Sequence, residues 1–406
     1  GIGLGLEYTD NATLSQDEAV EDLITIGFVG ARLSENEGSL KYDASAALNK
    51  QNYVRDSYED QRYFNLGASA DWEMIRDRFN WFLGNRYSQR PVNSLDANTP
   101  DNIQDSNVFN FGANIRYPLS ARQSFSLTPA FRQYYYEVQS TDNKQYSLAA
   151  SWNYQMFRLT NVGLSFSTRK IDFTETDLSG QSIEDTTFTT LGFTFDIQRA
   201  HSNFSGRLGS TNVSRENGDE TTGFSGFLYW AADLSSRSTF NTRISTELTD
   251  TSTASLTSVE DPTIGNPNDV QITTDVIRNS IVSLAYLRVD GTLKSSISAN
   301  YNEQDYSESP LDRINRGLRV QLNYPITQLL YGGTYVNYGH TKQFFSGRID
   351  ENYIFGGNLN YRFTRKLNSV FDVRYRRRES NNDTQNYKEF SVFASLVYGF
   401  GSVRGR

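Results

Sequence analysis

The sequence predicts an all-β fold: a transmembrane, antiparallel, up-and-down β-barrel of about 20 strands, or 18 or 22 if one hairpin is miscounted. Three observations predict it. First, apolar residues recur at every second position, the period of a strand whose side chains alternate between two faces. Second, only 37% of the residues are hydrophobic and mean hydropathy is −0.58, yet aromatics reach 14%, with 25 Tyr and 26 Phe. That balance suits strands with one apolar and one wet face. Third, short turns and long polar loops alternate along the chain, the pattern of outer-membrane barrels. No run approaches the roughly 18 apolar residues of a membrane helix. A soluble sandwich or solenoid is the alternative, and a propeller shares the rhythm of roughly 40 residues. Propeller blades carry four short strands per repeat, whereas each repeat here holds two long ones.

The chain is in strand register almost at once, at Ile2, Leu4, Leu6 and Tyr8. With no signal peptide ahead of that register, a processed, exported chain is expected, with no plug domain before the first strand. Tight turns follow at Ser34–Gly38, Ile75–Arg78, Tyr117–Arg122, Met156–Asn161, Gln198–Asn203, Leu234–Ser238, Val289–Gly291, Tyr324–Gln328 and Thr364–Asn368, rich in Gly, Pro, Asn, Asp and Ser. Between them lie ten longer loops, among them Asp10–Asp22, Asn52–Gln61, Ser88–Asp105, Asp172–Asp185, Thr249–Asp275 and Glu379–Lys388. Nine turns and ten loops connect 20 strands and place both termini on the short-turn side, expected to be periplasmic. Residues 1–400 are read as the barrel and 401–406 as a short basic periplasmic tail.

Outward faces read as Phe64/Leu66/Trp72, Phe109/Phe111/Tyr117, Tyr146/Leu148/Trp152, Leu191/Phe193, Leu228/Trp230, Leu318/Leu322 and, in the last strand, Phe390 to Phe400. Trp72, Trp152, Trp230, Tyr117, Tyr398 and Phe400 are expected at the membrane interface, where amphipathic rings form girdles. Three of the four Trp fall on this greasy face. The closing strand must pair with the strand that starts at Ile2, and its inward face is mostly small, with Ser391 and Ser395.

Strand parity puts Arg86, Arg116, Arg132, Arg169, Arg207, Arg243, Lys294, Arg319, Arg362, Arg374, Arg376 and Arg378 in the lumen. Inward acids are Glu7, Asp43, Asp71, Glu73, Asp196, Asp233, Glu247 and Asp372. These side chains form either a salt-bridged wall or a basic track for an anionic solute or acidic polymer. The strip Arg374, Arg376 and Arg378, beside a small-residue strand, is expected to be exposed to whatever passes. Loops Asp10–Asp22, Asp172–Asp185 and Asp250–Asp275 hold fifteen Asp or Glu and no Lys or Arg. They read as solvated surface, with Ca²⁺ or Mg²⁺ at the rim as an unplaced option. Otherwise no cofactor or metal is expected. The loop Thr249–Asp275 is the longest and the best candidate to fold inward.

Net charge is −8, which disfavours nucleic acid as a partner. There is no Cys, and His201 and His340 are isolated, without a partnered Ser and acid. No catalytic fingerprint occurs, so an enzyme is not expected.

The opening G-x-G-L-x-Y-T-D-N-A-T-L-S, then E-D-L-I-T-I-G-F from Glu21, G-S-L-K-Y-D from Gly38, D-Q-R-Y-F-N-L-G-A-S-A-D-W from Asp60 to Trp72 and D-R-F-N-W-F-L-G-N-R-Y-S-Q-R-P from Asp77 to Pro91 resemble the β-barrel porin 2 family. The resemblance covers the first hundred residues and is generic afterwards. It implies an outer-membrane barrel of exopolysaccharide and PEP-CTERM-associated clusters, in contact with lipid and lipopolysaccharide and working with periplasmic export proteins. It supplies no site residues. The expected function is passive export of a surface polysaccharide. The alternatives are a diffusion porin for small anions and an anchoring barrel whose loops hold a filament or protein.

Overall fold

A computed structural model describes residues 1–174, 183–216, 218, 220–256 and 270–400. They form twenty strands. The first seven are β1 (Ile2–Thr9), β2 (Asp22–Glu35), β3 (Leu40–Tyr53), β4 (Gln61–Ile75), β5 (Phe79–Pro91), β6 (Ile103–Ser120) and β7 (Gln123–Tyr136). Then come β8 (Asn143–Phe157), β9 (Thr160–Phe173), β10 (Thr186–Arg199), β11 (Ser202–Arg215), β12 (Glu220–Ser235) and β13 (Ser238–Asp250). A one-and-a-half-turn helix, α1 (Thr251–Leu256), precedes β14 (Val276–Asp290), β15 (Leu293–Tyr306), β16 (Arg313–Pro325) and β17 (Leu330–Gln343). β18 (Ile349–Arg362), β19 (Leu367–Ser380) and β20 (Tyr387–Tyr398) complete the wall. Every strand pairs antiparallel with its sequence neighbour, and β1 pairs with β20 from Ile2↔Tyr398 to Thr9↔Ser391. The sheet therefore has no edge, which is what a strand wall in lipid requires. Residues 401–406, and parts of the loops 172–185 and 249–275, lie outside the described residues.

The closing seam is tight because β1 alternates Gly with large residues. A side chain at Gly3 would begin 2.1 Å from the Phe28 ring, and one at Gly5 would begin 2.8 Å from the Phe393 ring. Both rings lie flat over those glycines on the lumen side, while Leu4 (73% exposed) and Leu6 point out. On the faces read as outward, Trp72, Tyr117, Trp230, Tyr398 and Phe400 are exposed, and Trp152 stacks on Tyr154 at 6.1 Å. The fourth Trp, Trp81, also faces outward: it sits opposite Trp72 and stacks on exposed Phe111 at 5.2 Å.

Two walls part at the long-loop end. The β4–β5 ladder stops at Leu66↔Tyr87, and the β12–β13 ladder stops at Gly226↔Thr246, although all four strands run on. Beyond those points β5 stays paired with β6 as far as Pro91↔Ile103, and β13 stays paired with β14 as far as Asp250↔Val276. Each hairpin tip thus leans off its preceding neighbour and carries the described residues of its loop into the lumen.

Candidate functional site

The site is the closure these two hairpins make across the lumen. Its first part is α1 and the residues on either side of it. Thr251, Ser252 and Ala254 are at most 2% exposed. The helix is short and rich in Ser and Thr, so its hydroxyls reach the wall. Asn143 Nδ2 donates to Ser252 Oγ at 3.1 Å, and Thr253 Oγ1 donates to Gln145 Oε1 at 3.3 Å. Arg169 donates to Thr253 Oγ1 at 2.9 Å and to Thr249 Oγ1 at 3.0 Å, and pairs with Asp250 at 2.9 Å. Arg90 donates to Ser255 Oγ at 3.3 Å from the other side. Helix and wall are joined by strands far apart in the sequence.

The second part is the loop 92–102 between β5 and β6. The Gln271 side-chain carbonyl accepts from Ser94 N at 2.9 Å, and its amide donates to Val92 O at 2.9 Å, so the two inward loops are bonded to each other. Arg348 and Arg378 both donate to Leu95 O, at 2.7 and 2.6 Å, and share Asp350 at 3.0 and 2.7 Å. Arg313 donates to Ser94 Oγ at 3.0 Å and to Gln304 Oε1 at 2.7 Å. Arg313, Asp350 and Gln304 are at most 2% exposed. Charges at such depth are tolerable only when paired and hydrogen-bonded.

Around this closure the wall is an amide belt. Gln104, Asn143, Gln145, Asn279, Asn302, Gln304 and Asn315 are each at most 2% exposed and share the lumen parity of their strands. An amide offers a donor and an acceptor on one flat group, so the belt matches neutral hydroxyls better than ions.

The expected basic track divides. Arg169 and Arg378 belong to the closure. Arg374 pairs with Glu7 at 3.1 Å, and Arg376 pairs with Glu389 through both ends of its guanidinium. The strip Arg374, Arg376 and Arg378 is therefore not exposed: its side chains are 15%, 20% and 8% accessible and are paired with Glu7 on β1, Glu389 on β20 and Asp350 on β18. Arg243 lies 4.9 Å over the Phe227 ring, Arg319 lies 5.9 Å from the Tyr335 ring, and Arg132 donates to Tyr134 at 3.4 Å. Arg86 and Arg207 keep the lumen parity of β5 and β11. Arg116 and Arg362 are exposed near the short-turn end.

The acidic loops are solvated in part, with Asp10, Asp17, Glu18 and Glu21 exposed, but two of their carboxylates are not. Asp22 and Asp275 are at most 2% exposed. Asp22 accepts from Arg55 N at 2.9 Å and Ser57 N at 3.1 Å, while Asp275 accepts from Ser309 N at 3.2 Å. These carboxylates pin loop backbones. Among the described residues, no three His, Asp or Glu gather as a metal site.

Sequence reasoning did not single out Arg90, Gln145, Arg313, Arg348 and Asp350 as parts of this closure, nor Glu389 as the partner of Arg376. For all but Arg348 a signal was present: Arg90 shares the parity of Arg86, Gln145 that of Ser147, Arg313 that of Arg319, Asp350 that of Arg362 and Glu389 that of Ser391. Arg348 was hidden because its residue falls in a loop, where parity has no meaning.

With this geometry the chain can be set beside known proteins. Residues 287–400 match the family model described as "Putative beta-barrel porin 2". The family signature thus runs from the end of β14 to the end of the wall. The motifs between Gly1 and Pro91, which carry the resemblance in the sequence, lie outside it. No curated protein matches the chain. A ferric enterobactin receptor variant from Pseudomonas aeruginosa superposes with a TM-score of 0.51 at 10% identity, over 98% of this chain and 80% of that one. The FrpB iron transporter from Neisseria meningitidis (F5-1 variant) superposes with a TM-score of 0.50 at 10% identity, over 98% and 82%. At such identity the likeness establishes a fold of the outer-membrane barrel kind.

Proposed function

We propose that this barrel resides in the outer membrane and is a gated conduit for a hydroxyl-rich surface polysaccharide, supplied by periplasmic partners. One observation carries the reading: the hydroxyls of Ser252, Thr253 and Ser255 occupy the amide and guanidinium groups of Asn143, Gln145, Arg169 and Arg90. Sugar hydroxyls make the same bonds. In this reading the loop stands in for the polymer while the conduit is idle, and the chain catalyses no reaction.

Two experiments test it. In planar bilayers the wild type should stay mostly closed, and the triple variant Ser252→Ala, Thr253→Ala, Ser255→Ala should open far more often. In cells, a clean deletion should remove the polymer from the surface; unchanged secretion overturns the reading. The exposed Arg116 and Arg362 near the short-turn end favour a second reading, a diffusion porin for small anions. A large, steady, anion-selective current from the wild type would favour it. A barrel that stays shut in every variant, and whose loops retain a surface protein in pull-downs, would instead be an anchor.

A further inference from the structure

The lumen wall sorts its charges by arc. Arg90, Gln145, Arg169 and Arg313 touch the inward loops, so they mark the lumen faces of β5, β8, β9 and β16. The pairing registers carry that parity round the wall. Among the described residues, the lumen faces of β5–β9 and of β14–β17 hold no Asp or Glu. Inward acids lie in the arcs between, such as Glu247 on β13 and Glu7, Asp350 and Glu389 across β18–β1. In the latter arc arginines answer them: Arg374 pairs with Glu7, Arg376 with Glu389 and Arg378 with Asp350. The β5–β9 arc instead sets Arg86, Arg90, Arg116, Arg132 and Arg169 among amides and hydroxyls. Arg116 is exposed near the short-turn end. Arg132 donates to the Tyr134 hydroxyl at 3.4 Å and stands opposite Gln145 on β8.

The carboxylate that this arc does hold comes from the closure. Asp250 pairs with Arg169 at 2.9 Å and accepts from Gln145 Nε2 at 3.1 Å. Beside it the hydroxyls of Thr253 and Ser252 bond Arg169 and Asn143. One carboxylate set among hydroxyls, held by a guanidinium and by amides, has the outline of a uronic acid unit.

We propose that the carried polysaccharide is acidic, with carboxylates on its sugar rings, and that the β5–β9 arc is its track. The inference rests on the conduit reading above. Arg116 and Arg132 lead the carboxylates toward the closure while the amides take the hydroxyls. At Arg169 a polymer carboxylate then replaces that of Asp250. An arc without inward acids repels no part of such a chain, whereas the arginines of β19 are already paired.

The full barrel in zwitterionic nanodiscs, titrated with a fluorescent oligogalacturonate and with a neutral glucan oligomer of equal length, tests this. The acidic oligomer should bind at least about tenfold more tightly, the worth of one charge-assisted hydrogen bond. Arg116→Gln with Arg132→Gln should remove most of that preference. Arg32→Gln, which alters an arginine already paired with Asp43, should leave it, separating a track from general charge attraction. Asp250→Asn, which withdraws the competing carboxylate from Arg169, should raise the affinity for the acidic oligomer severalfold. Equal affinity for the two oligomers overturns the proposal, as does a preference that survives Arg116→Gln with Arg132→Gln or is lost equally in Arg32→Gln. Polymer lost on deletion together with tight binding of the neutral oligomer sinks the acidic class alone. Secretion unchanged on deletion sinks the conduit reading and leaves the binding result standing.

Discussion

At the long-loop end, Arg378 and Asp350 lie 2.7 Å apart with side chains 8% and 2% exposed. At the short-turn end, Arg32 and Asp43 also lie 2.7 Å apart, but are 71% and 39% exposed. The chemistry and distance are the same; the surroundings differ. In water such a pair gains little over two hydrated ions. Out of water each partner depends on the other, because an isolated charge there cannot recover its lost hydration. Identical bonds are therefore structural glue at one end of the barrel and replaceable surface at the other. The long-loop end is where a closure can be held shut; the short-turn end is built to stay wet.

The largest expected break in this contrast is Asp350→Ala. It strands Arg348 and Arg378 beneath the loop 92–102 and should cost about 3–5 kcal/mol, read as a lower urea midpoint in lipid vesicles. Next comes Asp250→Ala, which removes the carboxylate that Arg169 and Gln145 share. The expected loss is about 2 kcal/mol, that of a hydrogen bond to a charged group. Bilayer recordings should show frequent opening, and a double-mutant cycle with Arg169→Gln should show strong coupling. A smaller effect is expected for Gly3→Val, which drives a methyl into Phe28 at the closing seam: about 1 kcal/mol or somewhat more, relieved by Phe28→Ala. Least of all, Asp43→Asn should cost under about 1 kcal/mol. That small cost should fade in high salt, which screens exposed pairs and spares buried ones. If Asp43→Asn cost as much as Asp350→Ala, the contrast between the two ends would collapse.

Much of this barrel is legible without coordinates. Alternation such as Leu191/Phe193/Phe195/Ile197 is a local property, so each strand declares its two faces within its own few residues. Turn chemistry is equally local: Gly38 and Gly291 take the positive φ that tight reversals need, 80° and 58°. Those two signals determined the strand count, the pairing of neighbours and the meeting of β1 with β20. They also pointed to the longest loop as the one to fold inward, and the described residues on either side of its centre do enter the lumen.

What the sequence could not determine is who meets whom across the lumen. Arg348 bonds Leu95 from 253 positions away, Arg313 bonds Ser94 from 219, and Arg374 meets Glu7 from 367. No local period encodes such partners. Parity assigned Arg374, Arg376 and Arg378 to one face of β19, but exposure was inferred from the small residues beside them. Closure of the wall then set Glu7 and Glu389 next to that strip, and the leaning hairpins set Asp350 and Leu95 over it. Facing is fixed one residue at a time by the pleat; pairing is fixed only when a closed wall brings distant strands and loops into one small, water-poor volume.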